Sequence, residues 1–99
     1  MNQLLILASP LDHPATQNFW ERLNKSLLTK ADLSVYFLHE GAQSLSDARL
    51  ADPKIRLFAC PRAAERMPRA GSDRVTLGGP GLLAELIERA STIHAFSPA

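Results

Sequence analysis

The chain reads as an α/β protein with a five-stranded, mainly parallel sheet between two helical layers. Two observations predict this. Short runs of β-forming, apolar residues recur at residues 4–8, 33–38, 55–59, 75–77 and 92–96, and helix-compatible segments separate most of them. The leading runs are apolar on both faces, as in strands of a parallel sheet buried from both sides. A third observation bounds the size: 99 residues are enough for one core and too few for two, so residues 1–99 form a single domain.

The first run, Leu4-Leu5-Ile6-Leu7-Ala8, stops at Ser9-Pro10 with no basic flank before it. It is too short for a signal-peptide core or a membrane span and reads as a central strand. After a loop, Pro14 is placed to open a helix that runs to about Thr29. Ala15, Phe19, Leu23 and Leu27 recur every four residues, with Trp20 and Leu28 widening the stripe, so Phe19 and Trp20 are expected in the core. The second strand, 33–38, ends in His39-Glu40-Gly41. Residues 44–50 suit a short helix capped by Ser44 or Ser46, with Asp47 in its first turn. Asp52-Pro53 breaks the chain before the strand 55–59.

A helix of about two turns is expected from Pro61 to Met67, ended by Pro68, with a polar loop over 69–74. A short strand at 75–77 leads into Gly78-Gly79-Pro80-Gly81. Leu82, Leu83, Leu86, Ile87 and Ala90 then mark the apolar face of a last helix ending near Ser91, before the fifth strand at 92–96.

Cys60, the one cysteine, stands between the strand 55–59 and Pro61. The C-terminal ends of parallel strands are where ligands and chemistry gather in open α/β sheets. A helix N-terminus and the nearby Arg62 and Arg66 favour a thiolate there, below the free thiol's usual pKa. A buried structural thiol is the other reading, since cysteine is among the most buried residue types.

His13 and His39 follow strands on the same edge, and a Cys-His pair would suit nucleophilic catalysis, with Asp12 or Glu40 as orienting groups. A solvated loop histidine is the plainer reading of each, and His94, inside the last strand, reads as structural. Cys60 with scattered ligands lacks the paired spacing of a zinc site, so no metal is expected. Gly79-x-Gly81-x-x-Ala84 mimics a dinucleotide fingerprint, but the chain ends before the second strand and acidic residue that motif needs. It reads better as a tight strand-to-helix turn, with anion or nucleotide binding at the helix start as a lesser possibility.

Formal net charge is +1, which gives no general attraction to nucleic acid or an anionic membrane. Arg62, Arg66, Arg69 and Arg74 lack interleaved aromatic residues and suit a rim around a thiolate or the steering of an acidic partner. With a single cysteine and no secretory pattern, a soluble cytoplasmic protein is expected.

The order of elements, the cysteine after the third strand, Ala63-Ala64-Glu65-Arg66, and the block Gly78-Gly79-Pro80-Gly81-Leu82-Leu83-Ala84-Glu85-Leu86 carry a resemblance. Over nearly the whole chain the sequence resembles the DsrE/DsrF family of small sulfur-relay proteins, including TusD-like sulfurtransferase subunits. The resemblance implies a DsrE-like domain of flavodoxin-like appearance, without cofactor. In sulfur-transferring members a cysteine matching Cys60 carries sulfur as a persulfide, received from one donor and passed to a partner thiol. Assembly as a trimer or hexamer, with a small sulfur-carrier protein as partner, is likewise implied. Within that reading Arg62, Arg66, His39 and His13 are candidates to stabilise the thiolate or meet the partner, and Gly78, Gly79 and Gly81 form a loop near the site. Two other readings stay open: a non-catalytic subunit with an inert cysteine, and a small-ligand or nucleotide-binding domain using the glycine turn.

Overall fold

A computed structural model describes residues 2–29, 32–45, 47–62 and 75–97. Five parallel strands form one sheet: β1 (Asn2–Leu7), β2 (Asp32–Phe37), β3 (Ile55–Ala59), β4 (Val75–Leu77) and β5 (Thr92–Phe96). Their order across the sheet is β4-β3-β2-β1-β5. The two helices that lie wholly within the described residues, α1 (Pro14–Leu28) and α2 (Pro80–Arg89), lie on opposite faces. The chain moves one way from β1 to β4 and then crosses back to place β5 beside β1. Right-handed crossovers in opposite directions require helices on opposite faces, which is the arrangement found.

Alternation divides the sheet. Leu5, Leu7, Leu33, Val35, Phe37, Ile55, Leu57 and Ala59 form one face and pack with Phe19, Trp20 and Leu23 of α1 in a single core cluster. Phe19 is its hub, with edge-on ring contacts to Trp20 at 4.8 Å, Phe96 at 5.7 Å and Phe37 at 6.2 Å. Pro14 sits in the first turn of α1, and the cap is His13, whose Nδ1 accepts the Ala15 N–H at 3.1 Å. Behind it, Thr16 Oγ1 donates to the Pro10 carbonyl at 2.7 Å, which leaves Ser9 to donate to Thr16 Oγ1 at 2.6 Å. This buried pair fixes the β1–α1 loop. Leu28 does not widen the stripe: it is 84% exposed, because the helix ends there, beyond the reach of the sheet.

The expected helix over 44–50 is replaced by two 3-10 turns, His39–Ser44 and Ala48–Ala51. Asp47 is the reason. Its backbone is extended (φ −68°, ψ 134°), so it interrupts a helix rather than lying in a first turn. It caps the second turn, its carboxylate accepting the Arg49 N–H at 2.9 Å. In the first turn Gly41 crosses β1 so closely that a Cβ there would lie 1.9 Å from the Leu7 carbonyl oxygen. Only glycine permits that approach.

α2 begins earlier than its apolar face suggests. Pro80 occupies the first turn and Gly79 the cap, so Gly81 belongs to the helix rather than to the preceding turn. None of its residues is buried, and Ile87 is 41% exposed. The helix expected over 61–67 and the loop over 69–74 fall mostly outside the described residues; Pro61 and Arg62 are helical.

Candidate functional site

Cys60 stands one residue beyond β3, at the C-terminal edge of the sheet. Its N–H donates to the Phe37 carbonyl at 3.0 Å, continuing the ladder with β2. On the other side Gly78 N–H donates to the Ala59 carbonyl at 3.0 Å, continuing the ladder with β4. The thiol is thus held between the ends of two neighbouring strands, on backbone that leaves it little freedom. It is partly buried and packs against the core cluster without being enclosed by it.

Tyr36 is the residue that sequence reasoning missed. It pairs with Phe58 in the β2–β3 register, which puts it on the face opposite Val35 and Phe37. Its ring is buried, and its Oη donates to the Gly78 carbonyl at 2.5 Å. Burial raises the Tyr36 phenol above the usual tyrosine range, and an electrostatic interaction with Cys60 raises it further. The phenol keeps its proton and donates it to the Gly78 carbonyl. The available signal was the alternation in Val35-Tyr36-Phe37, which sends one polar aromatic to the other face.

Gly78 closes the site on the β4 side. A Cβ there would meet the Leu82 side chain at 2.2–3.0 Å, so the turn stays tight only with glycine. Gly79 and Gly81 have open space around them. Arg62 is exposed two residues after Cys60. Arg66 lies outside the described residues. His13 is committed to capping α1 through Nδ1, and His39, exposed, holds a left-handed φ of 51° at the start of the first 3-10 turn. Among the described residues neither histidine is hydrogen-bonded to Cys60. What the fold brings to Cys60 is the ends of β2 and β4, and Tyr36 interacts with it electrostatically.

Among the described residues no three His, Cys, Asp or Glu side chains group as metal ligands, and no helix is long and apolar enough to cross a membrane.

No protein-family model matches the chain, and no curated protein matches it. A solved structure does. The crystal structure of the YchN protein from E. coli aligns with 97% of this chain and 100% of its own, at a TM-score of 0.70 and 15% identity. The chain has the YchN fold. At that identity the likeness establishes the arrangement of strands and helices, and the chemistry rests on the residues described above.

Proposed function

We propose that this protein is a small cytoplasmic sulfur-relay protein of the DsrE/TusD-like kind, carrying sulfur as a persulfide on Cys60. The observation that carries the reading is the placement of the one cysteine: partly open, at the C-terminal edge of a parallel sheet, and pinned by backbone on both sides. The YchN fold and the sequence resemblance support it.

The transfer is an exchange at sulfur without net oxidation. The Cys60 thiolate attacks the outer sulfur of a donor persulfide. A bond forms from Sγ to that sulfur, the donor S–S bond breaks, and the donor leaves as its thiolate. An acceptor thiolate, on a small sulfur-carrier protein, then attacks the outer sulfur now on Cys60, and the Cys60 thiolate is the leaving group. Because the chain has one cysteine, no internal thiol diverts the sulfur into a disulfide. Arg62, exposed beside the site, supports the thiolate and meets the partner. The protein self-associates as a trimer or a multiple of it.

Incubation with a persulfide donor tests this. The intact protein gains the mass of one sulfur atom, lost again on reduction; Cys60→Ser gains none, and Arg62→Ala loads more slowly. A wild-type protein that stays unmodified, or that loads and releases sulfur to no carrier thiol, overturns the relay. The packing of Cys60 against the core favours one second reading, a non-catalytic subunit with an inert thiol, which would resist alkylation near neutral pH.

A further inference from the structure

We infer that the outer edge of β5, which no described strand pairs with, is the contact of a two-fold homodimer, with β5 of each copy pairing antiparallel about His94. The inference deepens the self-association proposed above and is independent of the sulfur chemistry.

β5 is an outermost strand, five residues long, whereas β4 at the opposite edge has three. Ala8 N–H donates to the Phe96 carbonyl at 2.9 Å, so the Phe96 backbone points at β1. In a parallel ladder the direction alternates, so His94 and Thr92 also point inward, and the N–H and C=O of Ile93 and Ala95 point out from the sheet. The strand Thr-Ile-His-Ala-Phe has no proline, lysine or acid to blunt that edge, and Ile93 is 45% exposed.

An antiparallel pair centred on His94 sets Ile93 opposite Ala95 of the second copy, and the reverse. Each pair exchanges both backbone bonds, so every outward group finds a partner, and each Ile93 side chain is covered across the seam. The occupant is a second copy because of the groove beside the strand. Between α1 and β5 runs a hollow of about 420 Å³ lined by Glu21, Arg22, Lys25, His94 and Phe96. The two-fold axis joins this hollow to its copy. A surface carrying both signs complements itself, Glu21 of one copy facing Arg22 or Lys25 of the other, whereas a uniformly charged partner meets a like charge.

Size-exclusion chromatography with light scattering tests the proposal. Wild type runs with six chains, two trimers joined through this contact, or with two if the trimeric assembly proposed above fails, and Ala95→Pro, which removes an outward N–H, halves that mass with sulfur loading intact. A wild-type monomer, a wild-type trimer, or a folded Ala95→Pro protein of undiminished mass overturns it. If Ala95→Pro does not fold, His94→Cys in a Cys60→Ser background decides. The central pair of such a ladder lies with Cα atoms about 4.5 Å apart, within the span of a disulfide. A mild copper oxidant then links two chains through position 94 but not through Ala95→Cys in the same background, and failure of the position-94 link overturns the register.

Discussion

The Tyr36 hydroxyl reaches across β3 to the Gly78 carbonyl, a 2.5 Å bond between β2 and the residue after β4. One side chain thereby ties together the strand ends that hold the thiol. It connects the stability of the sheet's short edge to the shape of the candidate site.

Tyr36→Phe removes that bond and leaves the Gly78 carbonyl without its partner. The expected cost is about 1–2 kcal/mol, read as a lower urea midpoint at unchanged slope. Alkylation of Cys60 changes rate in the same variant, because the turn beside it is released. If both quantities match wild type, Tyr36 is only a filler of the sheet face.

The raised Tyr36 phenol has a signature at alkaline pH. Its folded value lies above the unfolded one, so the protonated side chain stabilises the fold below the ordinary tyrosine value of about 10. As pH climbs through that value the unfolded chain loses its proton first, and stability falls. Tyr36→Phe flattens this decline, and Cys60→Ser moves the Tyr36 titration part of the way back down, as followed by phenolate absorbance.

Phe19 and Leu28 sit on the same helix and separate burial from periodicity. Phe19→Ala empties the hub of the ring cluster and costs about 3–5 kcal/mol. Leu28→Ala, at an 84% exposed position, changes stability by less than about 0.5 kcal/mol. Chemical denaturation of the two variants side by side checks both figures.

Asp47, half-buried, and the exposed Arg49 form an ion pair whose effect is pH-dependent. Hydrogen bonds from Arg49 hold the Asp47 carboxyl below its usual range, so its contribution is present above that range and is lost as pH falls through the lowered value. The Arg49 guanidinium also lies 3.8 Å from the centre of the Trp20 ring. Trp20 is the one tryptophan, so its fluorescence reports the pair: Asp47→Asn removes the acid-induced change and shows the acid-form spectrum already at neutral pH.

The backbone contact at Gly41 tolerates nothing larger. Gly41→Ala drives a methyl into the Leu7 carbonyl, and the loss lies at or above the upper end of about 1–3 kcal/mol. Thermal unfolding that matches wild type would show that the first 3-10 turn can move away from β1.

Local chemistry determined much of this protein directly. Two-sided apolar runs marked the strands, Pro14 and Pro80 marked helix starts, and the fourfold recurrence of Phe19, Leu23 and Leu27 marked the face of α1 that meets the core. Cys60 was legible as a strand-end thiol because Ile55–Ala59 and Pro61 bracket it. These features depend on residues a few positions apart. What the sequence left open depends on pairing between distant segments. Whether Asp47 would join a helix or interrupt one turned on the extended backbone it adopts between two packed 3-10 turns. Tyr36 stands by Cys60 only because β2 lies next to β3, and it reaches Gly78, 42 residues away, only because β4 lies on the far side of β3. The position of β5 as an outermost strand follows from the return of the chain across the sheet. Periodicity states which side of a strand is apolar, but strand order and register are set by the cooperative burial of the whole sheet, and those decided which side chains surround the thiol.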